Sequence, residues 1–275
     1  QDGTAFSRLE GCWYGNDLVY FVSTSGGEAA KGQIWSYHPK KKSLHLIFES
    51  PHSAVLNFPD QIAVSPRGGM VLCEDCEPNK VVENGRENQY FPRLHGLTPE
   101  GKIFTLAMNN AVLEKSHRGF QGDFRASEWA GATFSPDGQH LVAGGADNRI
   151  RVWRFVSESK PQINPLVYSR YAHEGPIVQL AFSPDGQALL SGAEDRTLKL
   201  WETDRFTQVF AYERQSDVVP ALAVAPNNKS FVVARMDGSL QTYPLKAAKA
   251  PAVTTSKTVV VTTATADTPR QEFEE

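Results

Sequence analysis

The chain has 275 residues, including 21 glycines and 17 prolines, and 40% of it is hydrophobic, which is typical of many short strands and turns. Its formal net charge of −3 gives no electrostatic argument for a nucleic-acid partner, and no apolar run is long enough to span a membrane. With three cysteines, at least one is free or bonded outside the chain. The chain begins at Gln1 without a signal peptide, so we expect a fragment or a processed form.

The first predicted strand lies in FSRLEGCWYG and carries two charged residues. Arg8 and Glu10 are two positions apart, so both side chains point to the same face of an extended strand. A guanidinium beside a carboxylate can hold a phosphate next to a metal ion that the carboxylate binds. A surface ion pair is the structural alternative.

Paired strands follow in DLVYFVSTS, GQIWSYHP and SLHLIFES, and then in DQIAVSP, GGMVLCED and HGLTPEGKIFTLA. Gly and Pro-x-Gly signals separate them, as turns between short strands require. The predicted strands are short and evenly spaced, which is the pattern of propeller blades.

Acidic residues stand at the ends of these strands, where propeller loops surround a central channel. They are Asp60 in NFPDQIAVSP, Glu74 followed by Asp75 in VLCEDC, and Glu128 in ASEWAGATFSPDG. Carboxylates gathered at one channel mouth repel one another unless cations neutralise them. Oxygen ligands from several acids suit calcium.

Three repeats occupy the C-terminal part, and the phrase FSPDGQ opens the first two of them, at 134–139 and 182–187. Each repeat has a proline in a turn, an aspartate and a closing aromatic residue: Pro136, Asp147 and Trp153; Pro184, Asp195 and Trp201; Pro226, Asp237 and Tyr243. The closing residues are 48 and 42 positions apart, a period that suits a four-stranded propeller blade.

The middle repeat resembles the WD-repeat family through His173 in AHEGPI, Ser191, Asp195 and Trp201. The resemblance implies that these four side chains form the hydrogen-bonded set that ties the strands of a blade together. It also implies binding of a protein partner. A catalytic pair of His173 and Asp195 is the alternative, but satisfying buried polar groups is the simpler role. The first repeat has Ala143 at the hydroxyl position, and the third has no obvious histidine.

The N-terminal motifs RLEGCWYG, FVSTSGG with GQIWSY, NFPDQIAVSPRGGMVLCED, HGLTPEGKIF and EWAGATFSPDG together resemble the C-terminal half of the PhoX family of alkaline phosphatases. The resemblance covers about residues 6–140. It implies a secreted or periplasmic phosphomonoesterase built on a β-propeller, with calcium and iron as cofactors. Carried over motif by motif, it implies that Arg8 contacts phosphate. Its implied metal ligands are Glu10, Asp60, Glu74 and Glu128.

The sequence therefore predicts an all-β propeller of about five blade-like units, whose ring is closed or incompletely closed. The predicted parts are 1–140 with PhoX character, 141–246 with WD-repeat blades, and a low-complexity, mostly disordered tail at 247–275. Within this tail KTVVVTTA is predicted as an edge or closing strand.

The function expected from this organisation is that of a PhoX-like phosphatase fragment fused to WD-repeat blades, with a phosphate monoester as substrate. The family's N-terminal half, which supplies further metal ligands including a cysteine to iron, is not represented in these motifs, so we expect the site that they form to be incomplete. The alternative is a propeller without catalysis that acts as a scaffold for a protein partner.

Overall fold

The computed structural model describes residues 4–76, 78–83, 86–117, 120–157 and 164–248. Every regular element in these ranges is a β-strand, and five of the seven sheets that the strands form are arranged as a five-bladed propeller. The predicted fold class is confirmed. No helix capable of crossing a membrane occurs in the described ranges.

The blades follow one another along the chain. Blade 1 comprises β1 (Leu9–Gly15), β2 (Leu18–Ser23), β3 (Gln33–His38) and β4 (Ser43–Glu49). Blade 2 comprises β5 (Pro59–Val64), β6 (Met70–Glu74), β9 (Arg93–Leu97) and β10 (Ile103–Met108), with the hairpin β7 (Asn79–Glu83) and β8 (Arg86–Tyr90) inserted after β6. A second hairpin, β11 (Val112–His117) and β12 (Phe120–Asp123), precedes blade 3.

The last three blades come from the C-terminal half. Blade 3 comprises β13 (Trp129–Phe134), β14 (His140–Gly145), β15 (Arg149–Arg154) and β16 (Leu166–Tyr171). Blade 4 comprises β17 (Ile177–Phe182), β18 (Ala188–Ala193), β19 (Leu198–Glu202) and β20 (Gln208–Ala211). Blade 5 comprises β21 (Ala221–Val224), β22 (Ser230–Ala234) and β23 (Leu240–Pro244), three strands within the described residues. The predicted strand KTVVVTTA and the tail from residue 249 lie outside the described residues.

The inner strands β1, β5, β13, β17 and β21 neighbour one another in that order. A central cavity of about 400 Å³ is lined by side chains from all five, including Trp13, Val64, Phe134, Phe182 and Leu222. The five inner strands therefore surround one central space. This cavity lies near the ends of the inner strands, whereas Glu10 and Asp60 lie near the beginnings of β1 and β5.

Apolar side chains pack between successive blades. Leu72 and Val22 belong to the core between blades 1 and 2, Trp201 and Val142 to the core between blades 3 and 4, and Phe231 to the core between blades 4 and 5. A fourth cluster joins blades 2 and 3. Strand alternation produces this arrangement because the sheets of blades 2, 3 and 4 each bury both faces between two neighbouring blades.

The repeated phrase FSPDGQ forms the same turn twice. Ser135 Oγ contacts Asp137 Oδ1 at 2.6 Å, and Ser183 Oγ contacts Asp185 Oδ1 at the same distance. Gly138 and Gly186 follow with φ of 64° and 71°, a left-handed conformation that favours glycine. The residues of this phrase therefore specify the same local turn, which explains why the phrase occurs in two consecutive blades.

Candidate metal and phosphate site

Arg8 and Glu10 lie at the beginning of blade 1, at the same end of the propeller as the first residues of the other inner strands. Arg8 Nη2 donates to Asp75 Oδ2 at 2.8 Å, and Arg8 Nε donates to Glu10 Oε1 at 3.2 Å. Thr24 Oγ1 donates to the second oxygen of Glu10 at 2.7 Å. Arg8 is thus held between two carboxylates that come from different blades.

The backbone of Arg8 has a left-handed φ of 53°, which is unusual for a residue other than glycine. Its carbonyl accepts a hydrogen bond of 2.8 Å from the Thr24 amide, and the adjacent Ser7 amide donates to Ser23 Oγ. These contacts with the end of β2 hold the segment in a conformation that aims the guanidinium toward blade 2.

Three carboxylates from blades 2 and 3 meet beside Arg8, and we call Asp60, Asp75 and Glu128 the acidic cluster. Each offers an oxygen within 4.8 Å of the others. Asp60 is the second residue of β5, Asp75 follows β6, and Glu128 precedes β13. Three strand ends therefore place their acids at one point.

The acidic cluster has unusual protonation properties. Burial, followed by the charges of Asp75, Glu128 and Glu10, raises the pKa of Asp60 to about 7. A hydrogen bond with Asp75, followed by burial, raises the pKa of Glu128 to about 7. Asp60 Oδ1 is buried and has no hydrogen-bond partner among the described residues. Without a cation, the cluster therefore retains protons near neutral pH.

Gly11 permits the close approach of blades 1 and 2 at this point. A Cβ added to Gly11 would lie 2.5 Å from the Asp60 carbonyl oxygen and 2.9 Å from Gln61 Cα. Both neighbours are backbone atoms, which cannot move aside as a flexible side chain can. The small residue between Glu10 and Cys12 thus lets β1 lie against β5.

A cavity of about 520 Å³ opens beside Arg8, and we call it the Arg8 cavity. Asp75 and Glu128 line one part of it, and Lys31 and Lys80 also contribute to its walls. It is large enough for a small organic phosphate, and its charged groups are of both signs.

Glu74 has different surroundings from the acidic cluster. Its carboxylate accepts from Arg93 Nη2 at 2.7 Å, from the Asn57 amide at 2.8 Å and from the Arg93 amide at 2.9 Å, and it contacts His95 Nε2 at 3.0 Å. Burial raises its pKa, but the hydrogen bonds from His95 and Arg93 outweigh it, so the pKa of Glu74 lies below its usual value. The structure brings Arg8, Glu10, Asp60 and Glu128 together, and it directs Glu74 into a buried ion pair.

The acidic cluster fits calcium. Calcium–oxygen bonds are about 2.3–2.6 Å long, so oxygens up to about 5 Å apart can share one ion. The limit of 4.8 Å between the cluster oxygens matches this requirement. Binding would also satisfy the unpartnered Asp60 oxygen.

Cys76, which lines the Arg8 cavity, has a different character, because burial and the charge of Glu74 raise its pKa to about 12 and keep it a thiol.

The residues of the predicted WD-type set lie in blade 4 and its preceding loop. Trp201 Nε1 donates to Ser191 Oγ at 2.8 Å, and Ser191 Oγ lies 2.7 Å from His173 Nε2. His173 Nδ1 lies 2.7 Å from Thr197 Oγ1, which donates to Asp195 Oδ1 at 2.7 Å. Burial lowers the pKa of His173, so the ring is neutral and each of its nitrogens has one partner.

Several residues of these two sites were not singled out in the sequence. Asp75 was named only as a neighbour of Glu74, and Lys31 gave no pattern signal at all. In the loop before blade 5, Gln215 stands 28 residues before Tyr243, the offset that separates His173 from Trp201, and its Oε1 accepts from the Tyr243 hydroxyl at 3.0 Å. This shared offset could have identified Gln215 as the substitute for the missing histidine.

Comparison with family models agrees with both resemblances. A model described as alkaline phosphatase PhoX matches residues 2–144, which is more than half of the chain, and a model described as WD domain, G-beta repeat matches residues 164–202. A search of curated proteins found no match. Arg8, Glu10 and the acidic cluster lie within the first matched region, and the set from His173 to Trp201 lies within the second.

Proposed function

Because the chain belongs to the PhoX alkaline phosphatase family, we propose that the acidic cluster and Arg8 bind a phosphate monoester beside a calcium ion and support its hydrolysis. The observation that carries this proposal is the meeting of three carboxylates, of which Asp60 and Glu128 have raised pKa values, with an arginine and a cavity at one end of the propeller. Protons must leave such a cluster when a cation enters, because the cation and the protons compete for the same carboxylate oxygens.

The roles of the individual residues follow from their contacts. Arg8 can donate to phosphoryl oxygens through its fork of N–H groups, while Glu10 and Asp75 keep that fork oriented. Thr24 fixes Glu10 through the second carboxylate oxygen. A bound cation supplies positive charge that neutralises the carboxylates and polarises the phosphoryl group.

Turnover of p-nitrophenyl phosphate tests the proposal, with calcium and iron both supplied because the family implies both metals. Wild-type protein is expected to hydrolyse the ester in a metal-dependent way. Asp60→Asn is expected to lower the rate at least about a hundredfold, since it removes a ligand of the cation. Lack of turnover by the wild type, or equal turnover by Glu10→Ala, would reject the catalytic proposal.

A second function, binding of a protein partner, is supported by the WD repeat in blade 4. The turn from β18 to β19 presents Arg196 at the same end of the propeller as Arg8, with a left-handed φ of 62°. The loop from β19 to β20 presents Arg205 at the opposite end. We propose that the end bearing Arg196 is the binding face.

A matched pair of charge reversals tests this second function. Arg196→Glu is expected to abolish recovery of a partner that the wild type retains, whereas Arg205→Glu, which makes the same change in net charge, is expected to leave it intact. Equal recovery with both variants would show that the proposed face is not used.

A further inference from the structure

The Arg8 cavity contains a lysine whose charge is not matched by a carboxylate. Three basic residues line the cavity. Arg8 is paired with Glu10 and Asp75, and Lys80 Nζ lies 2.8 Å from Glu87 Oε1. Lys31 forms no ion pair with any described residue, and its Nζ instead lies 4.2 Å from the centroid of the Phe58 ring. An aromatic face holds an ammonium in position without cancelling its charge.

The backbone around Lys31 is tied to the acidic cluster. The Phe58 amide donates to the Lys31 carbonyl at 3.1 Å, and the Asp75 amide donates to the Phe58 carbonyl at 2.9 Å. Phe58 is therefore a bridge between the loop that carries Lys31 and the residue that belongs to the cluster. Its own φ of 50° is left-handed, which is unusual for an aromatic residue.

The neighbouring glycine also restricts the position of Lys31. Gly32 has a φ of 121°, and a Cβ there would lie 2.4 Å from Pro59 Cδ. The Ser50 amide donates to the Gly32 carbonyl at 2.9 Å, and the Gly32 amide donates to the Gly26 carbonyl at 3.0 Å. The loop between β2 and β3 is thus fixed immediately after the lysine, unlike a loop that merely exposes a charge to solvent.

The balance between the carboxylates and the positive charges of the proposed site indicates a function for Lys31. Glu10 and the acidic cluster contribute four carboxylates, against which stand Arg8 and, in the proposed function, one calcium ion. One negative charge remains when all four are ionised, and it would repel a phosphate dianion. Lys31 is the cavity's uncompensated positive charge and balances it.

Building on the proposed function, the geometry points to Lys31 as the substrate-binding residue that holds the phosphate dianion in the Arg8 cavity. The ammonium donates to a phosphoryl oxygen while the Phe58 ring holds the ammonium in position. Phosphate recognition is therefore shared between two residues. Arg8 already donates hydrogen bonds to the carboxylates of Glu10 and Asp75, whereas the ammonium N–H groups of Lys31 remain available to phosphate.

Binding of phenylphosphonate, a dianion that resembles a phosphate monoester and cannot be hydrolysed, tests this role. The dissociation constant would be measured by titration calorimetry at saturating calcium for the wild type, Lys31→Met, Lys31→Arg and Lys80→Met. Lys31→Met is expected to weaken binding about tenfold or more, because a hydrogen bond to a charged group is lost. Lys31→Arg is expected to stay within about threefold of the wild type, because it retains the charge.

Lys80→Met is the matched control, because it removes the same charge from the same cavity at a lysine that Glu87 already neutralises. It is expected to change the dissociation constant less than about threefold. Calcium affinity, measured without phosphonate, reports folding of each variant and is expected to be unchanged or slightly tighter in Lys31→Met. If Lys31→Met does not fold, Lys31→Gln replaces it in the same comparison.

The outcomes separate this inference from the function on which it rests. Binding of phenylphosphonate that is equally tight in the wild type and Lys31→Met overturns the role of Lys31 and leaves the calcium site standing. Equal weakening by Lys80→Met also overturns it, since net charge alone would then explain the effect. A wild type that binds calcium but no phosphonate overturns both the lysine role and the proposed phosphate site, and one that binds neither overturns the calcium site as well.

Discussion

Glu74 and Asp75 are adjacent in the chain, but their carboxylates are in different surroundings. Glu74 is buried against Arg93 and His95, whereas Asp75 contacts Arg8 and belongs to the acidic cluster. Successive residues of an extended chain point to opposite sides, so only one of two adjacent acids can face the Arg8 cavity. The geometry favours Asp75 as the residue that contacts a cation and Glu74 as the residue that holds the strands around it.

Substituting each of these acids by its amide should separate the two roles. Glu74→Gln leaves the buried Arg93 without its carboxylate, so the free energy of unfolding should fall by about 3–5 kcal/mol. Asp75→Asn should lower calcium affinity at least about tenfold with a smaller change in stability. Chemical denaturation and calcium titration measure the two effects. A folded Glu74→Gln protein that has lost calcium binding would instead establish Glu74 as a ligand, as the sequence resemblance implies.

The raised pKa values of Asp60 and Glu128 predict two opposite responses to pH. In the unfolded chain both carboxyls ionise near their ordinary pKa of about 4, so between about pH 4 and 7 the folded, metal-free protein binds more protons. The stability of the metal-free protein should therefore fall as pH rises through this window and level off above about pH 7. Calcium affinity should rise from about pH 6 to 8, because the ion needs the deprotonated oxygens.

Thermal unfolding in a chelator and calcium titration at matched pH values measure these responses. Asp60→Asn is the control, because it removes one of the two titrating groups and should flatten the pH dependence of stability. Calcium affinity that is the same at pH 6 and pH 8 would contradict the prediction, since the cluster would then not release protons on binding.

At the scale of strands, the site depends on how closely β1 and β5 approach. Gly11→Ala would place a methyl group 2.5 Å from the Asp60 carbonyl oxygen, so the two inner strands must separate. We expect a loss of about 1–3 kcal/mol in stability and weaker calcium binding, because Glu10 and Asp60 move with their strands. Gly15→Ala on the same strand is the matched control, since its methyl group would lie 3.6 Å from the nearest atom, at ordinary contact distance. Denaturant unfolding and calcium titration compare the two variants, and equal effects would show that the close approach is unimportant.

Much of the blade architecture could be predicted from the sequence because it is specified locally. The SPDG turns and the aspartate-to-aromatic offsets indicate where strands begin and end, and the phrase FSPDGQ forms the same turn in both places. The positions of Arg8, Glu10, Asp60 and Glu128 at strand ends were likewise visible in the motifs. Contacts between blades were not, since the Lys31 contact with Phe58 depends on two loops that are distant in the chain.

At the scale of the whole molecule, the two family regions share a blade. The PhoX match ends at residue 144, within β14, while β15 and β16 complete the same sheet. Leu141 of this blade packs with the core of blade 2, and Val142 beside it packs with the core of blade 4. The change from PhoX-like to WD-repeat-like sequence near residue 140 therefore does not coincide with a boundary between separately packed units.

This continuity predicts that the propeller unfolds in a single cooperative transition. Apolar cores join each pair of successive blades, so loss of one blade exposes the packed face of the next. In the proposed function calcium binds the folded site, so it should raise the transition midpoint of the whole propeller, although the acidic cluster comes only from blades 2 and 3. Ser191→Ala, which leaves the buried Trp201 and His173 without their shared partner, should lower the same midpoint and cost about 1–3 kcal/mol.

Calorimetry of the wild type and Ser191→Ala, each with and without calcium, tests this coupling. The two perturbations should shift one common peak in opposite directions, and their effects on stability should add because the sites have no shared contacts. Thr203→Ala is a suitable control in the same blade, since the hydroxyl it removes bonds to a turn carbonyl and lies apart from the buried set. Two separate peaks, one moved only by calcium and the other only by Ser191→Ala, would instead show that the phosphatase-like and WD-repeat regions fold as independent units despite sharing blade 3.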